Sequence, residues 1–219
     1  MFSSMLTTTD VLQGERILAL RVDDVDRMLA AGVIREGERV ELLHGLLVVM
    51  DMDGDEHVSI TQRIMERLVL QLAGKPFKVV CQSSAKMGDH QMPSPDVIVI
   101  PRHHAAGRYV GGLLVVEVAD TSLRKDRDLK ASIYATAQIP EYWLVDVKGQ
   151  QVTIYTDPQG NDYQTSEAVP RTGVLSPIAV PGVEIVVDEL FRPRHGRVRS
   201  APSAGIASAN GTTSMRSNW

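Results

Sequence analysis

Three carboxylates stand at positions where an apolar pattern predicts none. Asp96 immediately precedes Val97-Ile98-Val99-Ile100, and Glu117 interrupts the run Leu113-Leu114-Val115-Val116…Val118. Glu41 breaks the pattern of Val40, Leu42 and Leu43. A carboxylate inside a buried strand is costly unless a metal, a proton or a cation compensates it. Asp96 and Glu117 could share one spot if their strands are neighbours. Two carboxylates, completed by waters and substrate phosphates, are a common ligand set for magnesium. The competing reading is structural: Asp96 caps a turn after Pro95, and Glu117 forms an ion pair. Lys130 also admits two readings. It follows Asp126 by four positions, which makes a surface ion pair on a helix. It also flanks the inward stripe Leu129, Ile133 and Tyr134. From there its ammonium could reach Glu117, orient a nucleophile and offset phosphate charge. For Glu41 the favoured reading is a solvent-facing strand position, with a third acid ligand as the alternative.

Other chemistries find little support. No HxxxH or HxH spacing marks a zinc site. His44 lies at a turn, His90, His103 and His104 lie in loops, and His57 opens a helix, where a solvated ring is the expectation. No serine sits in a G-x-S-x-G context, and no glycine-rich loop is built to cradle phosphate. The mixed-sign run Arg124-Lys125-Asp126-Arg127 reads as a solvated helix start.

The elements that must position these residues follow from periodicity. Val22 to Ala31 predicts a short helix, with acids in its first turn and Gly32 at its end. Glu38 to Met50 predicts two strands around a turn at His44-Gly45. Val58, Thr61, Ile64, Met65, Leu68 and Leu72 form one helical stripe. Strands are predicted at Phe77–Gln82, Val97–Ile100, Leu113–Val118, Tyr142–Val147 and Gln151–Thr156. The last two are joined by the hairpin signal Lys148-Gly149-Gln150, and this hairpin should extend to Tyr163. Pro101 to Gly112 reads as a loop holding Arg108. Asp126 to Ala137 reads as a helix, and Val183 to Phe191 as a last short strand and turn. Leu113–Val118 is nearly all apolar, as a strand buried on both faces would be. The order predicts an α/β fold: a mixed central sheet flanked by helices, built on one strand-helix-strand unit.

The chain has 219 residues, 43% of them hydrophobic and 23% charged, which suits one globular domain. The expected division is an extension at 1–20, a domain at 21–192 and a disordered tail at 193–219, where small and polar residues dominate. The formal net charge of −4 forces no nucleic-acid partner. The single cysteine, Cys81, excludes an intrachain disulfide and a cysteine-rich zinc site, and it reads as a packed small hydrophobe. The N-terminus MFSSMLTTTD lacks the features of a secretory signal, and no apolar run reaches membrane-spanning length. A cytoplasmic protein is the expectation.

At four segments the chain resembles the Uma-two family, restriction-endonuclease-like proteins of the PD-(D/E)XK nuclease fold. VELLHGLLVVM is similar to the family's opening hairpin, and SPDVIVI to its P-D strand. LVVEVADTSLRKDRDLKASIYATAQIPEYWLVD is similar to its strand, helix and PEYW strand, and VPGVEIVVDELF to its closing segment. The family's usual hairpin aspartate is His44 here, and Ala119-Asp120-Thr121-Ser122 departs from its usual small-polar run. The resemblance implies a restriction-endonuclease-like fold and hydrolysis of DNA with Mg2+ or Mn2+. It implies Asp96 and Glu117 as metal ligands, the Val118 carbonyl as a further one, and Glu41 as an additional acid. The motif lysine normally lies two residues after the glutamate, which is Ala119 here, and the resemblance points instead to Lys130. A homodimer would suit cleavage of two strands, although no residue argues for one. The alternative to catalysis is a nucleic-acid or protein-binding module that keeps the fold, and the acidic balance favours it.

Overall fold

A computed structural model describes residues 18–104 and 109–192 of the chain. Arg108, most of the N-terminal extension and the tail lie outside the described residues. The first elements are α1 (Val22–Ala30) and the hairpin β1 (Val40–Leu43) and β2 (Leu46–Val49). Its turn is made by His44 and Gly45, both at positive φ (49° and 76°), as the tight turns that match strand twist require. Helix α2 spans Asp55–Gln71. Its buried stripe is His57, Ile60, Thr61, Ile64 and Leu68. Val58, expected on that stripe, is 36% exposed, and Ile60 takes its place. The helix begins at Asp55, so its inner face is set by the Ile60-Ile64-Leu68 ladder of four-residue steps, which Val58 does not share.

The strands that follow are β3 (Phe77–Cys81), β4 (Ala85–Lys86), β5 (Val97–Pro101), β6 (Tyr109–Val110) and β7 (Leu114–Ala119). β4 and β6 form a small parallel pair, so the segment read as a loop from Pro101 to Gly112 contains a strand. A helical segment comes next: a π-helical turn, Lys125–Lys130, that continues into α3 (Ala131–Thr136). Then come β8 (Glu141–Asp146), β9 (Gln151–Gln159), β10 (Asp162–Val169), β11 (Val174–Leu175), β12 (Ile185–Val186) and the short α4 (Val187–Leu190).

Six strands make the central sheet in the order β10-β9-β8-β7-β5-β3. β7 and β8 run parallel, joined by the helical segment, and the other neighbours are antiparallel. This is the mixed sheet the strand-helix-strand pattern predicts. Alternation divides the side chains between two cores. Val97, Val99, Val116, Val118, Trp143 and Val145 face Ile60, Ile64 and Leu68 of α2. Ile98, Ile100, Val115, Tyr142 and Leu144 face Ile133, Tyr134 and Ala135 of α3. Both faces of β5, β7 and β8 are therefore covered, which is why their sequences read as mostly apolar runs without alternation. The PEYW segment has a structural reason for its acid. Glu141 is buried and accepts hydrogen bonds from Trp143 Nε1 at 2.6 Å and the Ile178 N–H at 2.8 Å.

Cys81 is exposed, not packed. It ends β3, an edge strand bonded only to β5, so its outer side has no layer to cover it. Among the described residues no helix is long and apolar enough to cross a membrane.

Candidate functional site

The sheet register brings the two central acids together. β5 and β7 pair Val97 with Val116 in antiparallel sense. Carried one residue further, the same register sets Asp96 opposite Glu117. Both lie on the α3 side, in phase with Ile98 and Val115. Asp96 Oδ2 accepts the Val118 N–H at 2.8 Å, which ties the end of β5 to β7.

The other residues arrive from the hairpin and the helical segment. Glu41 of β1 is 0% exposed, against the favoured expectation of a solvent-facing position. A carboxylate can sit there because donors surround it: the Ser94 N–H at 2.9 Å, Lys130 Nζ at 2.8 Å and Lys125 Nζ at 3.5 Å. Lys130 is 2% exposed, which removes the surface-pair reading. Its ammonium lies 2.9 Å from Glu117 Oε1, 2.8 Å from Glu41 Oε1 and 3.7 Å from Asp126 Oδ1.

The π-helical turn explains how Asp126 and Lys130 both reach the interior. The Ala131 N–H donates to the Asp126 carbonyl five residues back, a wider turn than an α-helix makes. That extra residue per turn turns both side chains toward the sheet. Tyr142 OH donates to the same carbonyl at 3.1 Å and holds the turn on β8. The periodicity of Asp126–Ala137 carries no signal for this widening, because the apolar positions on either side remain compatible with an α-helix.

Three participants went unassigned in the sequence reading. His57 is buried, not solvated, and its Nε2 lies 3.0 Å from Asp96 Oδ2. Its place in the first turn of α2, beside the stripe residues Ile60 and Thr61, was the available signal. Tyr134, read only as a packing residue, donates its hydroxyl to Glu117 Oε1. Asp126, read as a helix-start acid, accepts a hydrogen bond from Ser122 Oγ, while its Oδ1 is buried without a hydrogen-bond partner. The spacing Asp126, Lys130, Tyr134, in steps of four, marks one helix face and could have placed all three together.

Asp96, Glu117, Val118, Asp126, Lys130 and His57 line a cleft of about 530 Å3, whose rim carries Asp53, Asp120 and the exposed Met52. Glu41 and Tyr134 lie behind its wall. A second cavity of about 600 Å3, beside Arg63, Phe191 and Arg192, contains none of these residues.

Carboxylates outnumber cations around Lys130. Burial raises the Glu117 pKa well above the usual carboxylate value; Lys130 opposes this, while Asp126, Asp96 and Glu41 add to it. Burial likewise raises Asp126 against the pull of Lys130. For Glu41 burial pushes upward too, but Lys130, the Ser94 N–H and Lys125 outweigh it and hold the group below its ordinary value. Lys130 stays protonated: burial disfavours its charge, but Glu117, Glu41 and Asp126 override burial. His57 is raised, since Asp96, Asp53 and Asp126 together outweigh its burial.

Among the described residues no three His, Cys, Asp or Glu side chains converge closely enough to hold a metal by themselves. A two-carboxylate magnesium site, completed by waters and substrate, does not require three. The donor set fits such an ion. It is oxygen-rich and over-acidic, and the Asp126 oxygen beside it lacks a hydrogen-bond partner.

Comparison with known proteins gives a consistent result. The family described as "Uma2: Putative restriction endonuclease" matches residues 22–188. A crystal structure described as a "putative nuclease belonging to DUF820", from Anabaena variabilis, superposes with a TM-score of 0.60 at 16% sequence identity. The match covers 70% of this chain and 90% of that one. At that identity the likeness shows a shared fold. No curated protein matches the chain by sequence.

Proposed function

The chain belongs to the Uma2 family, and on that premise we propose that it is a metal-dependent endonuclease hydrolysing DNA phosphodiester bonds. The observation that carries the reading is the convergence of Glu117 and Asp126 on one buried lysine at the wall of an open cleft, where the sheet register sets Asp96 opposite Glu117. Such a cluster is costly as a purely structural device. Asp96 and Glu117 would hold Mg2+ or Mn2+, with the Val118 carbonyl as a further ligand. When bound, that ion supplies positive charge against the scissile phosphate and makes a water a stronger nucleophile at neutral pH.

The chain's own residues do the rest. Glu41 lies behind the cleft and anchors Lys130, so its role is positioning. Lys130 is held by three acids and directs its ammonium to the place where phosphate charge grows. It also orients the attacking water by hydrogen bonding. Because Lys130 remains protonated, it serves as a donor and not as the base.

Plasmid cleavage in Mg2+ or Mn2+ tests the reading, with Asp96→Ala and Lys130→Ala prepared alongside. Wild type should nick the plasmid, with about 100-fold or greater loss in both variants. Equal residual cleavage in all three proteins would mean a contaminant. Intact plasmid with wild type would favour a binding module that keeps the fold.

A further inference from the structure

The two central carboxylates are bonded in the same lopsided way. Asp96 Oδ2 receives two donors, the Val118 N–H at 2.8 Å and His57 Nε2 at 3.0 Å. Glu117 Oε1 also receives two, Lys130 Nζ at 2.9 Å and Tyr134 OH. Among the described residues nothing hydrogen-bonds to Asp96 Oδ1 or to Glu117 Oε2. Neither of these atoms is a sealed, unpartnered buried atom, and both residues line the cleft. Each carboxylate is therefore held by one oxygen and open at the other. The backbone N–H and Lys130 belong to the sheet and to the cluster already described. His57 and Tyr134 are the additional side chains that complete each pair of donors.

We infer that His57 and Tyr134 are positioning residues that restrict Asp96 and Glu117 to one oxygen each toward a divalent cation. The inference rests on the metal-site reading above. Its consequence is a preference among cations. A carboxylate held at one oxygen can offer a single ligand, as the small octahedral ions Mg2+ and Mn2+ need. Ca2+ takes six to eight oxygens and gains from bidentate carboxylates, which the held geometry denies it. His57 suits its task because it enters from the first turn of α2, a rigid element packed on the sheet. Ile60 and Ile64, on the turns that follow, pack α2 against the core and hold the backbone that carries the ring. Tyr134 is fully buried, and its ring tilts against Tyr142 at a centroid distance of 5.1 Å. Its hydroxyl has no freedom to turn away from Glu117.

The test is calorimetric titration of the metal-free protein with Mn2+ and separately with Ca2+, at one fixed pH. The proteins are wild type, His57→Ala, His57→Gln, Tyr134→Phe and Asp96→Ala. The expected result is a loss of roughly 10–100-fold in Mn2+ affinity for His57→Ala and Tyr134→Phe. Ca2+ affinity should fall less, so the Mn2+/Ca2+ ratio drops in both. His57→Gln should recover most of the loss, because the glutamine amide can stand where Nε2 does. If His57→Ala and Tyr134→Phe bind Mn2+ within about twofold of wild type while Asp96→Ala loses binding, the positioning role falls and the metal site remains. If affinity drops but the ratio holds and glutamine does not rescue, the residues only support folding, and the inference falls. Wild type that binds no Mn2+ overturns the metal site and the positioning role together.

Discussion

Replacing Lys130 with methionine removes the one buried cation shared by three acids while keeping most of the side chain's volume. The Nζ distances are 2.8 Å to Glu41, 2.9 Å to Glu117 and 3.7 Å to Asp126. At an effective dielectric constant of about 20 these correspond to gross attractions of roughly 6, 6 and 4 kcal/mol. Most of that sum offsets the desolvation of four charged groups. The net loss on removing one partner of a buried ion cluster is about 3–5 kcal/mol. For a chain of this size that is roughly 6–20 °C in melting temperature. The loss depends on pH. Glu41 is held below its ordinary value in the wild type, so its contribution is present above the unfolded value and fades as pH falls through the folded one. Without the ammonium, burial governs Glu41, Glu117 and Asp126, and all three titrate higher. An acid with a raised folded pKa is destabilising above that pKa and neutral in effect below the unfolded one. The gap between wild type and variant is therefore larger near pH 8 and narrows toward about pH 4.5. Urea unfolding, followed by the fluorescence of buried Trp143, measures it at both pH values. A gap under about 1 kcal/mol at pH 8, or one that widens on acidification, would refute the buried-cluster reasoning.

Proton release on metal binding is a second expectation. Burial raises Glu117 and Asp126, a bound cation favours their ionised forms, and Mn2+ affinity should therefore rise with pH through the range in which they titrate. Calorimetry in two buffers of different ionisation enthalpy reads the number of protons, and identical heats in both would contradict it. A third concerns the hairpin that carries Glu41. A Cβ at Gly45 would lie 2.6 Å from the Ala19 Cβ, at a φ of 76°. Gly45→Ala should cost roughly 1–3 kcal/mol in urea unfolding, and a change below that range would mean the turn yields freely.

Much of the fold was legible because each central strand is covered on both faces. That geometry writes itself as Val97–Ile100 and as Leu114–Val118 with only Glu117 breaking it, apolar runs that periodicity recognises without a partner. The acids were legible for the same reason, since Asp96 and Glu117 are conspicuous in such runs. What escaped is a matter of which way a side chain turns at an element's end. His57 sits one turn into α2, where sequence cannot distinguish the sheet side from the solvent side. Glu41 belongs to a four-residue strand, too short for alternation to say which face is buried. The π-helical turn at Lys125–Lys130 depends on a shift in the backbone hydrogen bonding, which no residue type announces. Cys81 follows the apolar pair Val79-Val80, yet it ends an edge strand, and edge position is a property of the sheet and not of the segment.

The metal site itself is open to a direct measurement: anomalous diffraction from crystals of the wild-type protein soaked in Mn2+. One peak is predicted in the cleft, about 2.1 Å from Asp96 Oδ1 and from Glu117 Oε2. Asp96 Oδ2 and Glu117 Oε1 should remain on their protein donors. A peak elsewhere in the cleft, or none there while Mn2+ binds another surface, would contradict the assignment of these two carboxylates as the metal ligands.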